Sequence, residues 1–302
     1  MKLAAAETRT CSECGSSFAT KWSQNFCNPC KYSRATRAAC AMCGKKVGHT
    51  RNKVCWECRI GPAPVLRDMS PSDLAWLAGL IEGEGYLGIV RGRGVVRVAM
   101  TDADVVERMR AVSGVGLVGD LPRRADHHKA VRVWTVQRDA VVPGLLLAVA
   151  PLLGARRRIR ASEILALHDL RTPDVLALTP GSDQAWGWVG GLIEGEGYFQ
   201  PGPVTKRQDN PQVSVDSTDL DVIERLSELT GVGTVASHSR REAHRKEIHR
   251  WRVTKRSDVR MVLSGTLPTL GARRSERASY ILRSVLCAPA GSRTRTSEDT
   301  RS

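Results

Sequence analysis

No apolar stretch in the chain approaches the ~18 consecutive residues of a membrane span. The first residues, MKLAAAETRT, have no apolar core of the kind a secretory signal carries. Neither a membrane protein nor an exported one is expected. Acid is scarce: 31 Asp and Glu stand against 46 Lys and Arg, a formal charge of +15 on 302 residues. A surplus of that size favours a polyanionic partner. Lysine itself is rare, ten of those 46 cations. Arginine rich beside Ala, Gly and Val hints at a GC-rich genome, and the expectation is a cytoplasmic, nucleoid-associated protein of a bacterium or phage. Cysteine is nearly missing from the last 240 or so residues, since eight of the nine fall before residue 60.

Those eight form four CxxC pairs. Cys11, Cys14, Cys27 and Cys30 read C-x2-C-x12-C-x2-C, and Cys40, Cys43, Cys55 and Cys58 read C-x2-C-x11-C-x2-C. A CxxC turn sets two thiolates on one side of a metal, and a second turn a dozen residues on completes a tetrahedron. Two structural Zn²⁺ ions are expected, with no position left open for catalysis. Disulfides are the alternative, but nothing points to an oxidising compartment. Residues 1–60 hold too few apolar side chains for a core, so metal must hold them folded. The basic residues spread through them suit contact with nucleic acid. GPAPVLRDM, residues 61–69, then reads as a linker.

Beyond it one unit occurs twice. Thr101–Leu165 and Thr218–Leu282 align without a gap, with 29 of 65 positions identical. TDADVVERM answers TDLDVIERL, GVG answers GVG, Trp134 answers Trp251, and PLLGARR answers PTLGARR. The expected division is a first unit at 70–170, a linker at 171–181, a second unit at 182–286 and a disordered tail at 287–302. Each unit reads as helix, two strands, helix, two strands, helix, an α+β fold. Alternation makes Val213 and Val215 core-facing, with Val96 and Val98 as their counterparts. Val95, Arg97 and Ala99 then face outward. In the second unit the outer face carries Gln212, Ser214, Asp216, Arg250 and Arg252, a mix suited to base edges and phosphates. A plain solvated face is the other reading.

Each unit opens on an acidic helix, LAGLIEGEG at Leu77–Gly85 and VGGLIEGEG at Val189–Gly197. Gly79 and Gly83 are four apart, as are Gly187, Gly191 and Gly195. Glycine at that spacing costs up to ~1 kcal/mol each in helix propensity. Close approach of two helix backbones would explain it. Such a seam aligns the helix ends and brings Glu84 and Glu196 together. Carboxylates at helix C-termini oppose the dipole and repel each other unless they share a proton or a metal. Two acids with backbone carbonyls and water suit Mg²⁺, which activates water and stabilises a leaving oxygen in phosphodiester hydrolysis.

The doubled motif resembles the signature of the LAGLIDADG homing endonucleases in their single-chain form, over roughly residues 70–286. The resemblance implies an αββαββα fold in each half, with the motif helices at a pseudo-twofold interface. Two sheets would then form a saddle on the major groove of a long, asymmetric double-stranded DNA site, cut by a monomer. It implies catalytic metal ions, two or more Mg²⁺, held by Glu84 and Glu196 with the carbonyls of Gly83 and Gly195. It also implies basic residues near the scissile phosphates, which fall on Arg156 and Arg273. Glutamate at both ligand positions departs from the commoner aspartate. The polar residue usual at the end of the second strand is Met100 in one unit and Ser217 in the other. The zinc module lies outside the family core and is expected to extend DNA contact. A non-cleaving binder, either an intron RNA maturase or a transcriptional regulator, is the competing function. A structural protein in which the two glutamates merely end core helices is a third reading.

Overall fold

The structure, a computed structural model, describes residues 7–20, 25–28, 65–122, 129–202, 210–238 and 247–285. The chain divides into two compact units, residues 1–63 and 64–302. In the first, β1 (Glu7–Thr10) and β2 (Ser17–Thr20) pair antiparallel, with Thr10 opposite Ser17.

The second unit contains both copies of the repeat. The first half runs α1 (Pro71–Glu84), β3 (Gly85–Val90), β4 (Arg93–Met100), α2 (Ala103–Ser113), β5 (Leu117–Leu121), β6 (Val131–Val136), α3 (Val142–Val149) and α4 (Ala155–Ala166). The second runs α5 (Asp183–Glu196), β7 (Gly197–Gln200), β8 (Gln212–Ser217), α6 (Leu220–Thr230), β9 (Thr234–His238), β10 (Ile248–Val253), α7 (Arg256–Thr266) and α8 (Ala272–Tyr280). Each half has one antiparallel sheet, in the order β3-β4-β6-β5 or β7-β8-β10-β9. This is a doubled αββαββα α+β fold. The last helical layer of each half is two helices rather than one, broken at the PLLG and PTLG segments, where a proline and a glycine interrupt the run.

The repeated GVG…W signature has a packing cause. Gly114 and Gly231 end α2 and α6 in the left-handed conformation, at φ 70° and 65°. The carbonyls of Val115 and Val232 then accept from the indole N–H of Trp134 and Trp251, both at 2.8 Å. Both tryptophans are fully buried between sheet and helices. Burying such a side chain contributes ~3 kcal/mol, and here its polar atom is satisfied as well.

Val96, Val98, Val213 and Val215 face the core, as the alternation requires. Arg97 and Arg252 are exposed. Val95, expected outward, is buried instead. The ring of Tyr86 lies against Gly88, the register partner of Val95, and covers that part of the outer face.

The linker residues 171–181 lie close against the fold. Leu176 N–H donates to the Pro151 carbonyl at 2.8 Å, Arg158 reaches the Pro173 carbonyl at 3.0 Å, and Leu178 is buried.

Candidate functional site

The site begins where α1 and α5 cross. Both helices start on a serine cap, with Ser70 Oγ accepting from Asp73 N–H and Ser182 Oγ accepting from Ala185 N–H. At the crossing the backbones touch. A Cβ on Gly79 would lie 2.1 Å from the Trp188 carbonyl oxygen, and one on Gly191 would lie 2.1 Å from that of Trp76. One turn further on, a Cβ on Gly83 would sit 3.6 Å from Gly195 Cα and 3.2 Å from Glu196 Cγ. A Cβ on Gly195 would sit 3.0 Å from Glu84 Cγ. The glycines thus carry each motif glutamate to the other helix's end.

Both glutamates are exposed at the helix ends, yet partial desolvation against the facing helix raises their carboxyls above the usual range. Desolvation is the main cause for each; for Glu196 the charge of Glu84 adds to it, while Arg157 and Arg274 oppose. Directly after them Gly85 and Gly197 are extended, not left-handed. Glycine is needed there because a Cβ would meet the Ile81 or Ile193 carbonyl within 2.6 Å.

Two groups of residues that the sequence reading did not single out surround this pair. Arg157 donates from Nη2 to the Gly83 carbonyl at 3.1 Å, from Nε to the Glu82 carbonyl at 3.1 Å, and from Nη1 to the Gly85 carbonyl. Arg274 repeats the pattern on the carbonyls of Gly195, Glu194 and Gly197. A buried guanidinium therefore sits on the C-terminal carbonyls of each motif helix, where the dipole favours a cation. Glu82 and Glu194 are the second group. Each is buried and accepts from the first N–H of a later helix, Gly154 or Gly271, at 2.7 Å. Burial pushes both carboxyls up to about 7, against the pull of those N–H groups and of Arg157 or Arg274. The legible signal was the repetition itself, EGE in both motifs and a second arginine in both GARR segments.

Arg156 and Arg273 lie one residue before these buried arginines and point elsewhere. Arg156 is clasped by Asp219 of the other half, Nε to Oδ2 at 2.8 Å. Arg273 makes a bidentate pair with Asp102, at 2.8 and 2.7 Å. The helix starts beside them are capped across the halves too: Ala155 N–H donates to Asp221 and Ala272 N–H to Asp104, each at 2.7 Å. Arg156, Glu196, Gly83, Ser217 and Asp219 line one open cavity at the helix ends.

The donor set fits a hard divalent cation: two carboxylates held together, with carbonyls near them. Gly83 and Gly195 carbonyls each already accept one guanidinium N–H, which leaves one lone pair apiece.

On the outer face of the second sheet, Asp216 and Arg250 are register partners joined by two 2.6 Å hydrogen bonds. Ser214 is buried between its register partners Tyr198 and Arg252. Gln212 faces Gln200 at the sheet edge, and Arg97 stands alone in its position on the first sheet, opposite Tyr86 and Thr135.

In the N-terminal unit the sulfurs of Cys11, Cys14 and Cys27 lie within 4.8 Å of one another, a group that could hold a metal ion. Burial raises the Cys11 thiol, but N–H groups of Cys14, Cys27 and Glu13 outweigh it and bring it down to about 6. Such a thiol ionises readily and is a ready metal ligand. Gly15 beside them is left-handed, at φ 71°. Cys30, Cys40, Cys43, Cys55 and Cys58 fall outside the described residues. No helix among the described residues is long and apolar enough to cross a membrane.

No family model matches the chain, and no curated protein sequence matches it. Among solved structures, the LAGLIDADG meganuclease I-AabMI bound to uncleaved DNA is similar at 14% identity and a TM-score of 0.48, over 70% of this chain and 89% of that one. The LAGLIDADG homing endonuclease I-SmaMI bound to cleaved DNA is similar at 11% identity and 0.45, over 72% and 88%. I-GzeII, a LAGLIDADG homing endonuclease in complex with its DNA target, is similar at 12% and 0.45, over 71% and 89%.

Proposed function

We propose that the chain is a site-specific double-strand DNA endonuclease of the LAGLIDADG type. The observation that carries this is the convergence of Glu84 and Glu196 at the end of a glycine seam between two equivalent halves. Two carboxylates brought together at the helix ends, each with its proton affinity raised, favour a compensating cation. The +15 charge of the chain suits a polyanionic substrate.

In this reading Glu84 and Glu196, with the free lone pairs of the Gly83 and Gly195 carbonyls, hold Mg²⁺. Mg²⁺ bound there would supply the activation of water and the stabilisation of a leaving 3′ oxygen. Arg157 and Arg274 fix the carbonyl geometry from behind. Arg156 uses Nε and Nη2 on Asp219, so its Nη1 edge is turned to a phosphate in the cavity it shares with Glu196. Arg273, on Asp102, does the same in the other half.

Cleavage selection on a randomised duplex library with Mg²⁺ tests this. The expected result is new ends sharing one long motif, lost by at least about 10³-fold in Glu84→Gln or Glu196→Gln. Chains carrying either substitution should bind the same motif undiminished. DNA that is enriched but never cut would replace this reading with a regulator or an intron RNA maturase.

A further inference from the structure

The two sheets are built alike, yet their outer faces differ in kind. Where the second sheet has the pair Asp216–Arg250, the repeat puts Ala99 and Val133 in the first, and these are register partners too. Gln212 is replaced by Val95, which is buried beneath Tyr86, and Thr234 by Leu117. On the edge strand Leu117 is 67% exposed and Leu121 40%. One face is polar and able to make hydrogen bonds; the other has an apolar edge at Leu117 and Leu121, beside Tyr86, Arg93, Arg97 and Thr135.

Arg250 is arranged for more than holding the sheet. Nε and one Nη2 hydrogen go to Asp216, which locks the guanidinium plane. The two Nη1 hydrogens and the second on Nη2 remain on the outer edge. That fork matches the O6 and N7 acceptors of guanine in the major groove. The pair has no net charge, so it adds little to phosphate attraction and most to geometry. The apolar edge at Leu117 and Leu121 has no side-chain donor or acceptor to offer, and its fit is to the C5-methyl groups of thymine.

Resting on the endonuclease reading above, we infer that the halves read their half-sites by different chemistry. Arg250, positioned by Asp216, specifies a guanine beneath the second sheet. The first sheet reads thymine methyls and discriminates weakly. The target is therefore asymmetric in information, with its strongest position on the Arg250 side.

Selection of a randomised duplex library by binding, with no divalent metal present, tests this apart from cleavage. The full chain should enrich a motif with one dominant guanine, and Arg250→Ala should cut that preference by about tenfold to a hundredfold at that position alone. Asp216→Asn should weaken the same position and no other. Affinity for a non-target duplex should move only with the charge change, falling slightly in Arg250→Ala and rising slightly in Asp216→Asn, while the rest of the motif is kept. On the opposite half-site, replacing thymine by deoxyuridine should weaken binding by about fourfold per buried methyl.

The inference is overturned if Arg250→Ala lowers the melting temperature but leaves the motif as it was. That outcome would make the pair a sheet contact. Equal information in both half-sites, or indifference to deoxyuridine, would also overturn it. Absence of any enriched motif would instead remove the DNA reading on which it rests.

Discussion

Alanine at Gly191 should act against helix propensity. In an isolated helix, Gly→Ala stabilises by up to ~1 kcal/mol. Here the new Cβ would stand 2.1 Å from the Trp76 carbonyl oxygen and 2.8 Å from Leu80 N. Both are backbone atoms, so no side chain can swing away. The helices must separate by roughly 1 Å to restore normal contact, and the buried Leu77, Leu80, Val189 and Leu192 move with them. Overpacking of this kind costs 1–3 kcal/mol and more where the surroundings cannot yield. A net loss of ~3 kcal/mol is expected in urea unfolding. Gly83→Ala, whose Cβ meets Glu196 Cγ at 3.2 Å, should cost less. Gly144→Ala in α3, with nothing within 4 Å, should be neutral or gain up to ~1 kcal/mol. A Gly191→Ala protein as stable as the parent, or more so, would refute the seam. It would also remove the reason for glycine at this spacing, and with it the geometry that joins the two glutamates.

Stability should fall as pH rises from about 4.5 to about 7. Glu82 and Glu194 have folded values near 7 against 4.5 when unfolded, so across that window the folded chain binds more protons. Each carboxyl contributes on the order of 3 kcal/mol to the total loss across that window. Glu82→Gln should flatten its share, and melts at pH 5 and pH 8 that coincide in the parent would contradict this. Asp221→Ala removes the cap on the α4 start from the other half and should cost about 1 kcal/mol; Asp104→Ala should cost the same at α8, and unequal losses would show that the clasps are not equivalent. Zinc analysis of the purified chain should find two ions, with Cys14→Ser losing one; an unchanged count would take Cys14 out of the metal site.

Much of the fold was legible because the chain repeats itself. A strand left ambiguous in one copy is phased by the other, so Val213 and Val215 located the core side of Val96 and Val98. The glycine spacing likewise carried the helix crossing, since few other causes justify so many glycines in one helix. Val95 was misread because alternation says which face a residue takes and not whether a neighbour such as Tyr86 covers that face. The roles of Arg157, Arg274, Glu82 and Glu194 were not legible for a different reason. They depend on where a later helix begins in space relative to the motif, and no local pattern encodes that distance.

The same contacts explain why each half needs the other. The first two N–H groups of α4 go to Glu82 of its own half and to Asp221 of the other. Those of α8 go to Glu194 and Asp104. Arg108 reaches from α2 to the Thr269 carbonyl of the other half, and Arg225 from α6 to that of Leu152, each lying over the motif-helix tryptophan of its own half. A single half would leave helix donors, a guanidinium and the glycine face of a motif helix without their counterparts. Each uncapped helix start alone would cost about 1 kcal/mol, and the exposed seam would add the loss of its apolar contacts. The repeated TDxD segment is thus a device for joining halves. Because Asp102 and Asp219 also hold Arg273 and Arg156, the surroundings of the acidic pair are set by residues from both copies.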